Sequence, residues 1–125
     1  MNIPGNLKYT KDHEWVRIEG EMAVIGITDF AQSQLGDIVF IDIQTVGETL
    51  EKEEVFGAIE AVKTVADAFM PLSGTVETMN EALESAPEMV NQDPYGEGWM
   101  IRIKISDPNQ IAELLTAEAY AQLIA

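Results

Sequence analysis

The sequence predicts a mainly β protein with one short internal helix and a helical C-terminal segment, on three observations. Residues 14–18 and 99–105 alternate apolar and polar side chains at the strand period. Glycines and prolines punctuate the chain too often for long helices. Helix-start chemistry, a Thr or Asp ahead of a short run, marks Thr28 and Asp107.

Taken in order, residues 14–18 read as a strand, Glu19-Gly20-Glu21 turns the chain, and residues 22–27 return. Thr28 is the expected N-cap of a helix over residues 29–35, with Gly36 as its C′ residue. Residues 37–43 form a strand of mixed alternation, closed by a turn near Gly47. Residues 55–62 lead up to Lys63 and residues 64–69 lead away, which places Lys63 at a hairpin tip. Residues 70–74 break the pattern before residues 75–79 resume it. Gly47, Gly57 and Gly74 lie in strand-rich sequence, pointing to tight turns, bulges or close backbone approach. From 80 to 98 the pattern loosens around Pro87, Pro94, Gly96 and Gly98. Residues 99–105 then form a strand with one solvated face. Asp107, Pro108 and Gln110 read as N-cap, N1 proline and capping-box glutamine of a helix through Leu115. A second helix follows from about 117 to 123. The 125 residues fit one domain spanning 1–125, its helical segment at about 108–123, with no linker or low-complexity tract.

Composition excludes several functions. With no cysteine there is no disulfide framework, thiol nucleophile or Cys-ligated metal site. The 22 acidic residues against 7 basic give a formal charge of −15, which disfavours nucleic-acid backbones and anionic lipid. Steering toward basic partners and plain solubility explain that charge equally well. No apolar run is long enough to cross a bilayer. Met1-Asn2-Ile3-Pro4-Gly5 carries neither a signal-peptide core nor a transit-peptide pattern, so a bacterial-type cytoplasm is the expected location.

Candidates for unaided catalysis are few. His13, the single histidine, lies between Asp12 and Glu14. Successive strand residues point to opposite faces, so this trio is a poor chelate, and the expectation is a packing or solvated histidine. Glu53 with Glu54, and Glu48 with Glu51, read as solvated carboxylates rather than acid–base pairs. Lys63 has the stranger setting, a basic residue among small and β-branched neighbours from Ala58 to Ala66. A tip lysine is open to another enzyme, and amide formation on it would supply a long flexible arm. An ordinary surface lysine interrupting an apolar β segment fits the same facts.

Glu60-Ala61-Val62-Lys63, with Phe69-Met70-Pro71-Leu72-Ser73-Gly74, resembles the lipoyl-attachment region of the glycine cleavage system H-protein family. Similar family segments recur in order. They are residues 9–16, Gly26-Ile27-Thr28-Asp29-Phe30-Ala31-Gln32, residues 35–40, residues 91–99 and Ala117-Glu118-Ala119-Tyr120, so the likeness covers roughly 6–123. The resemblance implies a barrel-sandwich hybrid of two small antiparallel sheets, lipoyl-domain-like, with helical additions. It implies a carrier, not an enzyme, with lipoic acid amide-linked to Lys63. The arm would accept an aminomethyl group from the glycine decarboxylase (P-protein) and present it to the aminomethyltransferase (T-protein). Dihydrolipoamide dehydrogenase (L-protein) would reoxidise it, and a lipoylating enzyme would install it. Glu14 and Asp67 match positions that line the family's arm cleft, and a freely diffusing monomer suits a shuttle.

Four positions depart from the commoner family pattern. Ala61 stands where serine is usual, Thr64 where alanine is common, Glu53 where glycine is common, and Met70 where a small hydroxylic residue is frequent. Other carriers fit less well. Biotinyl domains flank their lysine with methionines, where this chain has Val62 and Thr64. Lipoyl domains of 2-oxoacid dehydrogenases carry Asp-Lys-Ala and lack the His13-Glu14-Trp15 segment. An H-like relay that hands lipoyl groups to other proteins remains an alternative. So do an enzyme built on residues 12–14 and a purely structural interaction domain.

Overall fold

The computed structural model describes residues 1–125. After a short strand β1 (Lys8–Tyr9), β2 (Glu14–Glu19) and β3 (Met22–Ile27) form the expected hairpin, Glu19 pairing with Met22 across the turn. The Thr28 hydroxyl caps α1 (Asp29–Leu35), accepting from the Ala31 amide at 3.2 Å. β4 (Ile38–Asp42) and β5 (Thr49–Leu50) precede the hairpin of β6 (Val55–Ala61) and β7 (Val65–Phe69). β8 (Gly74–Met79) follows, and the loosened stretch folds into a 3₁₀ turn at Glu81–Glu84 and a single-turn α2 (Met89–Gln92). β9 (Ile101–Ile105), a 3₁₀ segment Pro108–Glu113 and α3 (Ala117–Leu123) complete the chain. No helix is long and apolar enough to cross a membrane.

Two antiparallel sheets result, one six-stranded in the order β1-β2-β3-β9-β8-β5 and one three-stranded in the order β4-β6-β7. Neither closes into a barrel, and the main core lies between them. Val16, Ile25, Val76 and Ile103 of the large sheet meet Ile38, Ile41, Phe56 and Ile59 of the small one there. Because side chains alternate along a strand, β2 and β3 also feed a second cluster on the other face. Leu7, Tyr9, Trp15 and Val24 pack there against Tyr120 of α3. At β3 the large sheet is thus buried on both faces, which explains that strand's nearly continuous apolar run. Gly57 marks a register shift in β6, where a Cβ would come within 2.7 Å of the Asp42 carbonyl, so close backbone approach is the reason for glycine.

The capping-box expectation for Gln110 is corrected. Residues 108–113 are 3₁₀ rather than α-helical, and Leu114 already has extended geometry. Asp107 does cap this segment, accepting from Asn109 N at 3.1 Å. Gln110 instead reaches Ser73. Its Oε1 accepts from Ser73 N at 2.7 Å and its Nε2 donates to Ser73 Oγ at 3.0 Å, tying the C-terminal segment to the start of β8.

Two of the family departures have visible structural settings. Met70 is fully buried in the main core. Glu53 has φ 75°, in the left-handed region that glycine enters freely and that costs other residues about 1–2 kcal/mol. Its partner Lys11 lies 3.8 Å away with both side chains exposed, an ion pair of small consequence. Glycine gives back some of the gain through its freer unfolded state. Glu53→Gly is therefore expected to raise unfolding stability by about 0.5–1 kcal/mol in urea titrations. A loss of stability would show that side-chain contacts outweigh the strain.

Candidate functional site

Lys63 stands at the tip of the β6–β7 hairpin, which Ala61 N closes by donating to the Thr64 carbonyl at 2.8 Å. Val62 and Val65 flank it at 74% and 62% exposure, so the tip offers bare apolar surface around one amine. Lys63 is itself exposed and takes part in none of the ion pairs, which use Lys11, Arg17, Lys52 and Arg102.

The neighbouring turn after α1 supports the tip. Gly36 has φ 79°, and a Cβ there would meet Lys63 Cε at 3.4 Å and Nζ at 3.8 Å. The lysine stem therefore lies along this turn, while Val62 N donates to the Asp37 carbonyl at 2.9 Å. Asn91 of α2 braces the same turn from behind. Its Nδ2 donates to Gly36 O at 2.8 Å and to Gln32 Oε1 at 3.0 Å, and its Oδ1 accepts from Ile38 N at 2.9 Å. No periodicity in the sequence marks Asn91 as the support under Lys63.

A cleft of about 340 Å³ runs beside α1. Ile27, Phe30, Ala31 and Leu35 line it from the helix side, and Ile59 and Ala66 from the small sheet. Leu35 precedes Gly36, so this end of the cleft adjoins the turn on which the Lys63 stem lies. The seven residues of α1 extend about 10 Å from there toward residues 12–14.

Glu14 and Asp67 share this cleft but have opposite environments. Glu14 is 2% exposed, while Asp67 on β7 is open to solvent. Thr10 Oγ1 donates to Glu14 Oε1 at 2.6 Å and Phe69 N donates to Oε2 at 3.3 Å. Burial raises the Glu14 carboxyl to a pKa of about 8 against the lowering effect of those two donors, with nearby Asp12 adding to the rise. Glu14 is thus neutral or poised to ionise near neutral pH.

His13 behaves as the packing residue expected. Its ring lies 4.9 Å from the Phe30 ring, its Nδ1 is 2.9 Å from the Tyr120 hydroxyl, and desolvation lowers its pKa despite Asp12. No group of three or more His, Asp or Glu side chains gathers to hold a metal ion. What the residues fit is a long group attached to Lys63, lying along an apolar wall with its far end beside Glu14.

The model of the family described as "Glycine cleavage H-protein" matches residues 7–125. The glycine cleavage system H protein of Bacteroides thetaiotaomicron is 60% identical over 124 residues, 99% of this chain and 98% of that protein. That of Chlorobium phaeovibrioides is 55% identical over 126 residues, covering 99% and 98%. The crystal structure of a glycine cleavage system H protein from Mycobacterium marinum superposes with a TM-score of 0.87 at 40% identity, covering 96% of this chain and 97% of that one. A full-length family match, high identity and a shared fold converge, and the chain belongs to the glycine cleavage H-protein family, whose members are carriers rather than catalysts.

Proposed function

We propose that this chain is the lipoyl-carrying shuttle of a glycine cleavage system, with lipoic acid amide-linked to Lys63 and the cleft beside α1 as the resting place of the arm. The observation that carries the reading is the Lys63 stem lying along the Gly36 turn, which adjoins the Leu35 end of a cleft that also reaches buried Glu14. When attached, the lipoyl group would supply a disulfide–dithiol couple, able to carry an aminomethyl group from the P-protein to the T-protein and to be reoxidised by the L-protein. The protein's own contribution is placement. Lys63 presents its amine to a lipoylating enzyme from an uncrowded tip, and Ile27, Phe30, Ala31 and Leu35 offer an apolar wall that excludes water. Residues 1–125 then act as a single carrier domain, with the 108–123 segment packed onto the sheet through Tyr120. The bacterial origin of the relatives supports a cytoplasmic setting.

Intact-mass spectrometry of protein from a host with active lipoylation tests the reading directly. One lipoyl group, mapped to Lys63, is expected. An unmodified mass from such a host would overturn it.

Glu14 and Asp67 can each offer a carboxylate to a protonated amine brought into the cleft. A cation close to Glu14 stabilises its carboxylate, so the proton it otherwise keeps is released and a charge-assisted hydrogen bond forms. Asp67 contributes from the rim, where water screens it. Glu14→Gln with Asp67→Asn is expected to shorten the hydrolytic lifetime of the carried amine at least tenfold, the weight of one charged hydrogen bond of about 1.5–3 kcal/mol. A lifetime equal to wild type would remove both residues from this role.

A further inference from the structure

The structure assigns Tyr120, in the C-terminal helix, as a positioning residue for the arm cleft, acting through a hydroxyl that fixes His13 at the cleft's inner end. This rests on the cleft being the resting place of the arm.

Tyr120 is fully buried, and its ring stacks on Tyr9 at 4.7 Å with an interplanar angle of 7°. Stacking alone would anchor α3, and phenylalanine would do that as well. The hydroxyl does something more. It lies 2.9 Å from His13 Nδ1 and 2.7 Å from Thr28 Oγ1, joining the two segments that flank the inner end of the cleft. His13 lines that end beside Glu14 and Phe30. Thr28 caps α1, which forms the apolar wall.

His13 needs such a hold. Its φ is 68°, a left-handed conformation uncommon for a residue with a Cβ and kept only where several contacts fix it. His13 N donates to Thr10 O at 3.1 Å and its carbonyl accepts from Thr28 N at 3.0 Å, which fixes the backbone. The Tyr120 hydroxyl is the hydrogen-bonding partner of the ring. Thr28 Oγ1 already accepts from Ala31 N, so Thr28, Tyr120 and His13 form a chain of hydrogen bonds running from the helix cap to the imidazole. The ring is thereby held in one orientation, since the hydroxyl can meet Nδ1 as donor or as acceptor. Water entry at the inner end then depends on a residue over a hundred positions away in the chain.

Tyr120→Phe keeps the stacking and removes the link. In the unmodified full chain, ¹⁵N NMR of the wild-type imidazole is expected to show Nδ1 engaged in a hydrogen bond. The variant should show the exchange-averaged pattern of a freer ring. In the lipoylated protein, hydrolysis of the carried amine should quicken about fivefold, the equivalent of one net hydrogen bond. Adding Tyr120→Phe to His13→Ala should bring no further change, because the hydroxyl acts through the ring. A wild-type ring without that hydrogen bond, unchanged His13 resonances in the variant, or additive effects in the pair would each overturn the assignment. A chain that a competent host never lipoylates would overturn the carrier reading by its mass alone, without touching the His13 resonances.

Discussion

Lys63→Arg is expected to abolish covalent modification and every transfer that depends on it, while leaving the fold untouched. Arginine preserves the charge and roughly the length of the side chain, and the position is exposed, outside both core clusters and free of ion pairs. Unfolding midpoints should therefore coincide with those of the wild type. The chemistry does not survive. Amide formation needs a neutral amine with a free lone pair, which a lysine releases on losing a proton and a guanidinium, charged at every accessible pH, does not. The loss should be complete rather than graded, visible as an unshifted intact mass and as background turnover in a reconstituted glycine-cleavage assay. Lys8 and Lys104 also lack ion pairs, but they lie on β1 and β9 of the other sheet. Residual modified mass in the variant would point to one of them. Undiminished turnover would revive a catalytic role for residues 12–14.

Much of this arrangement was legible in the sequence where local pattern and tertiary demand coincide. β2 and β9 alternate because each has a face to bury, β3 is a continuous apolar run because both of its faces are covered, and Thr28 caps α1 through a side chain that contacts its own helix. β1 and β5 were not legible. Each is two residues long, too short for a period, and exists because Val16 and Thr75 lie opposite to receive it. α2 was hidden by Pro87 and Pro94, which break long helices but tolerate a single turn between them, and the 3₁₀ turn before Pro87 is too short to show a period. At the site, Lys63 gained its meaning from ordered motifs along the chain. The burial of Glu14 carried no local signal, because a carboxylate opening a strand reads as solvated until residues 10 and 69 close over it. Tyr120 gave no signal either. Its partners His13 and Thr28 are brought to it by the fold alone.

The buried state of Glu14 leads to the second large effect. Stability of the unmodified protein is expected to fall as pH rises from about 5 to 8, and Glu14→Gln should remove most of that fall. In the folded chain the carboxyl titrates at about 8, above its ordinary value of 4.5. Between those two values the native state keeps a proton that the unfolded chain has released. The native state thus binds more protons, and unfolding free energy declines with pH across that window. The total is on the order of several kcal/mol, because each unit of displacement is worth about 1.4 kcal/mol. Glutamine imitates the protonated acid, since its amide oxygen accepts from Phe69 N while its NH₂ donates to Thr10 Oγ1. At pH 5 the two proteins should be similar, and at pH 8 the variant should be the more stable. His13 works the other way, its lowered pKa adding stability as pH rises toward its unfolded value, but it does so in both proteins and cancels in the difference. The same substitution removes the one buried group able to become an anion when a cationic amine enters the cleft. Glu14→Gln should therefore gain stability at alkaline pH while losing its hold on the carried amine, as expected where a residue is kept for function at a cost in stability. Urea titrations at pH 5.5 and 8 measure the difference, and parallel profiles for the two proteins would show that Glu14 ionises without the cost its burial implies.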